Sequence, residues 1–343
     1  MKAVRLETVG NLFLCEVEKP VPGPGELLVR IEVCGICGTD RHLFLGEFPS
    51  KPPVTLGHEF SGIVEAAGPE TPGFSVGMRV TGDPNIVCGR CLQCQRGRIN
   101  LCENLRAIGI HRDGGFADYV VLPIRQAIEL PVDLEPAHGA FCEPLACCLH
   151  GVDMAEIRAG SSVVVLGGGV IGLLVVQLAR VAGATSVVLV TRHEGKRQLA
   201  ETLGATASVD PNARDPIEAI TARDGLLPGG ADVVIECAGV AETVRQSTRM
   251  ARSGGTVVIL GVMPRGENVE IEPFDILFRE LKILGSFINP FTHRRAADLI
   301  ASGVIKVEPL ISRRIGLKEA PEAIGHPPRP GEIKVLVVPR LPS

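Results

Sequence analysis

Four cysteines lie close together in the segment CGRCLQCQRGRINLC, residues 88–102. They are Cys88, Cys91, Cys94 and Cys102, and their spacing is C-x2-C-x2-C-x7-C. Four thiolates at this spacing can surround one tetrahedral zinc ion, which would hold together a loop that has little core of its own. An iron–sulfur cluster or a redox switch uses the same residue type. The spacing favours a structural zinc site.

A second group of possible metal ligands is spread along the chain. It comprises Cys37 in CGICGTDRH, His58 and Glu59 in GHEFSG, and Glu143 in FCEPLACC. Ligands from distant segments are typical of a catalytic zinc, which keeps one coordination position open. Each residue alone also has an ordinary explanation, because a buried Cys packs as a small hydrophobe and a lone His often makes a local hydrogen bond. Cys142 offers an alternative thiolate beside Glu143.

Thr39 and His42 follow Cys37 by two and five residues. A threonine hydroxyl both donates and accepts a hydrogen bond, and a histidine exchanges a proton near neutral pH. The pair could therefore pass a proton between a bound molecule and solvent. Thr39 and Asp40 could also cap the helix that follows, and the two roles are compatible.

The segment LGGGVIG contains the pattern G-x-G-x-x-G, formed by Gly167, Gly169 and Gly172. It follows an apolar strand pattern and begins a helix pattern whose first residues are Val170 and Ile171. Glycines allow a tight turn and a close approach to a pyrophosphate, whose charge meets the free N–H groups of the helix. A plain packing turn is the alternative, but the position between strand and helix favours dinucleotide binding.

The end of the second strand pattern carries a base where such folds usually carry an acid. About 20 residues after the glycine motif, a carboxylate normally holds the adenosine ribose hydroxyls, but this chain has Thr191 and then Arg192. The threonine can hydrogen-bond a 2′-phosphate, and the guanidinium can pair with it through two N–H groups. Lys196 could add a second positive charge. A solvated basic loop is the alternative, and the pattern favours NADP(H) over NAD(H).

Two kinds of element pattern must position these residues. The first 140 or so residues are short strands between Gly and Pro turns, which predicts a compact β-barrel. From Ser161 onward, apolar strands alternate with helical segments, which predicts a six-stranded parallel, doubly wound α/β sheet. The chain after about Ser286 has mixed character and ends in the strand IKVLVVP, which we expect to rejoin the first domain.

Composition limits the classes of protein that the chain could represent. A net charge of −4 gives no electrostatic reason to expect a nucleic-acid partner. The apolar stretch VVVLGGGVIGLLVVQLA approaches the length of a membrane span, but its glycines favour a strand followed by a helix, so no membrane partner is expected. The N-terminus lacks the apolar region of a signal peptide, and an odd count of 11 Cys suits metal binding better than disulfides. A cytoplasmic location is expected.

The motifs CGICGTDRH, GHEFSG and GGGVIG together with the four-cysteine segment resemble the zinc-dependent medium-chain dehydrogenases/reductases. This family includes alcohol, sorbitol and threonine dehydrogenases, and the resemblance runs over nearly the whole chain. It implies a GroES-like catalytic domain from residues 1–145 and 285–343, with a structural zinc lobe at about 85–105. It also implies that a Rossmann domain, residues 146–284, is inserted between the two segments.

The resemblance also implies a catalytic zinc site. Cys37 and His58 match the first two zinc ligands of the family. The context of Glu143 is similar to the polyol and threonine dehydrogenase branch, in which Glu59 or Glu143, or each in turn with a water, completes the coordination. With the four-cysteine site, this implies two zinc ions per chain.

Three further positions acquire roles through the resemblance. Thr39 would contact the substrate oxygen and pass its proton through the nicotinamide ribose to His42. Lys334, in GEIKVLVV, resembles a position that contacts the cofactor pyrophosphate. A solvated basic residue on a terminal strand is the alternative for Lys334.

The implied reaction is hydride transfer between a secondary alcohol or polyol and NADP(H), with zinc acting as a Lewis acid on the oxygen of this small-molecule substrate. An NAD-dependent polyol dehydrogenase or an L-threonine 3-dehydrogenase is an alternative within the family. A non-catalytic cofactor-binding member is an alternative of another class, although such a protein would be expected to lose the zinc ligands. The resemblance further implies a homodimer or homotetramer.

Overall fold

The computed structural model describes residues 1–341. The described residues form two compact units, 1–146 with 290–341, and 147–289. The boundaries expected from the sequence were 145/146 and 284/285. No helix among the described residues has the length and apolar character that a membrane crossing requires.

The elements are named in chain order. The strands are β1 Lys2–Thr8, β2 Asn11–Glu16, β3 Glu26–Gly35, β4 Val54–Thr55, β5 Glu59–Ala67, β6 Arg79–Gly82, β7 Asn85–Ile86, β8 Arg106–Ala107, β9 Tyr119–Pro123, β10 Ala127–Glu129, β11 Ser162–Leu166, β12 Ser186–Val190, β13 Ala207–Val209, β14 Ala231–Glu236, β15 Ala251–Ile259, β16 Lys282–Gly285, β17 Ile311–Ile315 and β18 Lys334–Val337. The helices are α1 Gly38–Leu45, α2 Leu92–Gln95, α3 Pro136–Gly139, α4 Cys142–Met154, α5 Val170–Val181, α6 Glu194–Thr202, α7 Pro216–Thr221, α8 Ala241–Met250, α9 Pro273–Phe278, α10 His293–Ala301 and α11 Ala320–Gly325.

The first unit is built around the long strand β3. A sheet runs in the order β10-β6-β5-β3-β18-β17, and β9 also pairs with β3. The strands β5, β9 and β18 are all antiparallel to β3. Because β18 comes from the end of the chain, the C-terminal segment joins the N-terminal strands. The core beneath this sheet includes the fully buried Phe60 and Phe116.

The second unit is a parallel sheet covered by helices. Among residues 1–341 it has six strands, in the order β13-β12-β11-β14-β15-β16, and every neighbouring pair is parallel. The order reverses beside β11, and ligands of such sheets bind outside the carboxyl ends of the strands at this point. The six-strand sheet predicted from the apolar runs is confirmed.

Continuous apolar sequence explains the buried strands of this sheet. Val163–Leu166 of β11 and Val187–Val190 of β12 are buried on both faces, so these strands need no polar alternation. The long apolar stretch noted in the sequence divides at its glycines into β11 and α5. The glycine motif therefore lies between a buried strand and a helix, as predicted.

Candidate active site

Three of the expected metal ligands converge in the first unit. The ligand atoms of Cys37, His58 and Glu59 all lie within 4.8 Å of one another. Strand pairing brings this about, because Gly35 at the end of β3 is opposite Glu59 at the start of β5. Cys37 follows two residues after Gly35, so both chain segments deliver their ligands to the same end of the two strands.

A capping box fixes Cys37 at the start of α1. The Cys37 sulfur accepts a hydrogen bond from the Thr39 N–H at 3.5 Å, and the Cys37 N–H donates to Asp40 Oδ2 at 2.8 Å. Asp40 is fully buried, and its other oxygen, Oδ1, lies 3.5 Å from His58 Nδ1. One carboxylate therefore positions two of the three converging ligands, which is the usual arrangement around a ligating histidine.

The charges around His58 strongly favour a cation. Burial lowers the pKa of His58, but the charges of Asp40 and Cys37 raise it, and the resulting pKa is well above the ordinary value. Metal ions bind neutral imidazole and thiolate, so a bound metal would take the place of that proton. The same negative surroundings that hold the proton would stabilise a metal cation.

Glu59 has a buried cationic partner. Lys334 Nζ forms an ion pair with Glu59 and donates to the Ile36 carbonyl at 3.0 Å, and both side chains are about 1% exposed. Burial lowers the pKa of Lys334, but Glu59 and Cys37 outweigh it and raise the pKa. The surface position considered for Lys334 is wrong, because β18 lies between β3 and β17 and buries the amine. Its contact with the cofactor pyrophosphate stays a prediction.

Glu143, in the first turn of α4, lies outside the group of three that share the 4.8 Å limit. Its carboxyl still interacts with that group. Burial raises the pKa of Glu143 to about 7, with His58 lowering it and Glu59 raising it. A carboxyl of this kind changes its charge near neutral pH. Cys142, the alternative thiolate, is fully buried, and burial raises its pKa to about 12.

The donor set of the converging group fits zinc. A thiolate sulfur, an imidazole nitrogen and a carboxylate oxygen are the ligand types of catalytic zinc sites, which take three protein ligands and leave a position for substrate or water. The proximity of Glu59 and Glu143 to His58 provides two candidates for the third ligand. The residues therefore suit the ion that the sequence predicts.

Thr39 and His42 lie one turn apart on α1, and this spacing places them on the same face of the helix. Thr39 is half-buried, and His42 has a side-chain exposure of 27%. His42 Nδ1 lies 2.6 Å from Glu47 Oε2. Both expected relay residues are therefore partly accessible to solvent.

The four cysteines of residues 88–102 also converge, with their sulfur atoms within 4.8 Å of one another. Backbone N–H groups turn toward the sulfurs: Cys88 N–H donates to Cys102, and Cys91 N–H donates to Cys88. Backbone donors from Arg90 and Cys91 lower the pKa of Cys88 to about 6. These contacts stabilise thiolates, the form in which cysteine binds a metal.

The surroundings of Cys94 favour a bound cation among the four cysteines. Desolvation and the neighbouring thiols of Cys91 and Cys102 raise the pKa of Cys94 to about 12. A further negative charge among three nearby sulfurs is unfavourable unless a cation balances it. Tetrahedral zinc provides that balance with four sulfur ligands, so the group fits the predicted structural site.

The glycine motif of the second unit forms the turn that a pyrophosphate site needs. Gly167 has φ of +107°, which residues with a side chain rarely adopt. A Cβ at Gly172 would overlap the Gly167 carbonyl oxygen, so the helix can approach the strand only with glycine there. Gly169 is the N-cap of α5, whose first N–H groups, from Val170 onward, point toward this turn.

The end of β12 is held by an ion pair that the sequence analysis did not identify. Thr191 is buried, while Arg192 is exposed. Arg197 Nη1 donates to the Thr191 carbonyl at 2.9 Å and lies 3.1 Å from Asp210. Arg197 lies one turn into α6 and six residues after Thr191, and this spacing could have indicated the contact from the sequence. Lys196 is half-buried beside it on the same helix.

Two models of known protein families match separate parts of the chain. The model of the alcohol dehydrogenase GroES-like domain matches residues 23–132, and that of the zinc-binding dehydrogenase family matches residues 170–302. An L-threonine 3-dehydrogenase from Thermococcus kodakarensis is 33% identical, covering 88% of this chain and 87% of its own. A sorbitol dehydrogenase from Halalkalibacterium halodurans is 33% identical, covering 99% of each.

Among solved structures, a zinc-binding dehydrogenase from Sinorhizobium meliloti 1021 was determined bound to NADP. It is 69% identical to this chain, covers 98% of it and 99% of its own length, and superposes with a TM-score of 0.98. A GroES-like unit carrying a zinc-type ligand group, joined to a Rossmann unit, defines an oxidoreductase of the zinc-binding dehydrogenase class. The chain belongs to the zinc-dependent medium-chain dehydrogenases/reductases, in the polyol and threonine dehydrogenase branch of the alcohol dehydrogenase superfamily. The predictions of family, fold class and enzyme class are confirmed.

Proposed function

We propose that this dehydrogenase transfers a hydride between a secondary alcohol or polyol and NADP(H). The observation that carries the cofactor assignment is the end of β12, where Thr191 and the exposed Arg192 occupy the place of the usual acid. The N-terminus of α6 begins directly after, at Glu194, and favours an anion nearby. The NADP-bound relative at 69% identity supports the same assignment.

We assign the catalytic metal to Cys37 and His58, with Glu59 or Glu143 as the third ligand. Zinc at these ligands supplies Lewis-acid polarisation of a substrate oxygen. Asp40 holds the Cys37 backbone and faces His58, so the ligands are oriented before substrate arrives. Lys334 holds Glu59 when that carboxylate is not a ligand, because a buried carboxylate needs a cationic partner.

The proton path in this proposal begins at Thr39. Its hydroxyl would accept the proton of the substrate hydroxyl while donating its own, and His42 would pass the released proton to solvent. The positions of Thr39 and His42 on one face of α1 support a path that includes both residues. In carbonyl reduction the same groups return the proton.

The proposed cofactor contacts lie in the second unit. Gly167, Gly169 and Gly172 form the pyrophosphate turn, with Val170 and Ile171 beginning the helix that faces it. Thr191, Arg192 and Lys196 would hold the 2′-phosphate. Lys334, in the first unit, is the remaining proposed contact to the pyrophosphate.

We further propose a homodimer or homotetramer and a cytoplasmic location. The strand β16 ends the parallel sheet, and Phe274, Leu277 and Phe278 of the preceding helix α9 are between 59% and 72% exposed. An exposed edge strand beside an apolar cluster suits a second copy of the chain. The thiolate ligands of both metal groups suit a reducing compartment.

A side-by-side kinetic screen tests the proposed reaction. Sorbitol, arabitol, galactitol, 2,3-butanediol and L-threonine are offered with NADP+ and with NAD+, and NADPH or NADH is followed by absorbance. We expect the highest kcat/KM with a polyol or secondary alcohol and NADP+. A preference for NAD+ with L-threonine would instead establish the second candidate, which the 33% identical threonine dehydrogenase supports.

A further inference from the structure

The chain folds back on His42 directly after α1. Gly46 ends this helix in the left-handed conformation, with φ of 77°. The next residue, Glu47, then donates its backbone N–H to the His42 carbonyl at 2.9 Å. The turn therefore delivers the Glu47 side chain to the same residue that its backbone contacts.

The side-chain contact is short and polar. Glu47 Oε2 lies 2.6 Å from His42 Nδ1, although the two side chains are 41% and 27% exposed. An ion pair this open to water contributes little to folding stability. Its effect on the chemistry of the imidazole is a separate matter, because a hydrogen bond at one ring nitrogen determines what the other nitrogen can do.

A carboxylate is only an acceptor, so the nitrogen that it contacts must carry the proton. With the proton on Nδ1, the Nε2 atom of neutral His42 has a free lone pair. This is the arrangement of a base whose tautomer and orientation are set by a neighbouring acid.

We propose that Glu47 is a positioning residue of the proton relay, which fixes the Nδ1–H tautomer of His42 and aims Nε2 to receive the substrate proton. The inference rests on the proposed function, in which His42 ends the relay. The proton that reaches Nε2 leaves from there to water, and Glu47 neither gains nor loses one. The hydride goes separately to the nicotinamide.

A double-mutant cycle tests whether Glu47 acts through His42. The full-length variants are Glu47→Gln, His42→Ala and the two combined, and stopped-flow absorbance gives the single-turnover rate of NADPH formation from 2,3-butanediol or sorbitol. We expect Glu47→Gln to slow that rate about tenfold with little change in KM, a fraction of the usual effect of a general base. In the His42→Ala background it should have no further effect.

Glu308→Gln is the matched control. Glu308 also contacts a histidine, His138, at 3.2 Å on the same unit. With Glu135 these two residues form an acidic group that is separate from both Cys37, His58 and Glu59 and the four cysteines. Its replacement should leave the rate unchanged. The cycle is repeated with Glu47→Ala in place of Glu47→Gln. Thermal melts of all variants reveal any loss of folding.

The tautomer of the His42 imidazole distinguishes a positioning role of Glu47 from an effect on loop stability alone. Nitrogen-15 shifts of His42, assigned by difference from His42→Ala, should show a protonated Nδ1 in the native protein and a shift toward the Nε2–H form in Glu47→Gln. If His42→Ala leaves the rate unchanged, the proposed relay fails. If His42→Ala slows the rate but Glu47→Gln does not, or slows it equally in both backgrounds, the relay stands and the role of Glu47 is overturned.

Discussion

At the level of single residues, the proposed metal ligands are held in place by side chains outside the ligand group. Asp40 contacts both Cys37 and His58, and Lys334 neutralises Glu59 inside the fold. The ligand types and their motifs could be recognised from the sequence because zinc accepts few donor atoms. The Lys334 contact could not, because it joins residues that are 275 positions apart and depends on β18 entering the sheet beside β3.

Cofactor selectivity is tested at Arg192. Replacing Arg192 with Asp removes the cation proposed to pair with the 2′-phosphate and adds an acid that repels it. We expect the KM for NADP+ to rise about 10- to 100-fold, since a charge-assisted hydrogen bond contributes roughly 1.5–3 kcal/mol. The KM for NAD+ should change little or fall, as measured by steady-state kinetics with the same alcohol.

Arg158→Asp provides the control for Arg192→Asp. Arg158 is exposed and precedes β11, so it lies toward the amino ends of the parallel strands. The change in net charge is the same, and neither KM should move. Equal effects of Arg192→Asp on NADP+ and NAD+ would show that Arg192 makes no contact specific to the 2′-phosphate.

At the scale of elements, the parallel sheet was more predictable than the antiparallel one. Its strands are continuous apolar runs that are buried on both faces, so sequence alone marks them. The pairings of β3 with β5, β9 and β18 join distant segments, and short strands between turns do not indicate their partners. The return of the C-terminal strand to the first unit was expected only from the mixed composition of the last segment and from the family resemblance.

The contact between Lys334 of β18 and Glu59 is tested by removing the lysine charge. In Lys334→Met the carboxylate of Glu59 stays buried without its cation. We expect the free energy of unfolding to fall by about 3–5 kcal/mol, the usual cost of removing one partner of a buried ion pair. Chemical denaturation at pH 7 measures this fall.

Adding Glu59→Gln to Lys334→Met removes the uncompensated charge and should recover part of the lost stability. The comparison is made on metal-free protein, so that zinc ligation by Glu59 does not enter. If the double variant is less stable than Lys334→Met by the full cost of Glu59→Gln alone, the two residues are not energetically coupled.

The proposed zinc site of the four-cysteine lobe is tested by measuring the zinc content of cysteine variants. In Cys94→Ser one of four converging sulfurs is lost, and we expect the zinc content to fall from about two to about one per chain. The melting temperature should fall with it, because the short α2 and its flanking turns have little other support. Cys15→Ser, in β2 outside the lobe, should retain the full zinc content. Equal zinc in both variants would contradict the assignment.

At the scale of the whole molecule, the exposed apolar cluster of the second unit requires an explanation. Phe274 and Phe278 stack at 4.1 Å between ring centroids, and Leu277 of the same helix is 72% exposed. These side chains lie just before β16, the end strand of the sheet. A sheet edge beside exposed aromatic side chains would be prone to nonspecific association unless a partner covers it.

The proposed oligomeric state is tested at this surface. We expect the native chain to be a dimer or tetramer by light scattering, and Phe278→Glu to shift it toward smaller species, because burying a charge at an apolar interface is unfavourable. Val21→Glu, at a residue of the first unit that is 84% exposed against 69% for Phe278, should leave the mass unchanged. A monomeric native protein, or an unchanged mass of Phe278→Glu, would remove β16 and α9 as the interface.

Zinc at Cys37 and His58 is proposed to support alcohol oxidation with NADP+. The most direct test of this proposal is elemental analysis of the purified chain alongside its NADP+-dependent rate, for the native protein and for Cys37→Ser. We predict about two zinc per chain in the native protein, and in Cys37→Ser about one zinc and a rate lower by at least about 100-fold. A native chain that oxidises the alcohol without metal at this group, or a fully active Cys37→Ser, would contradict the account.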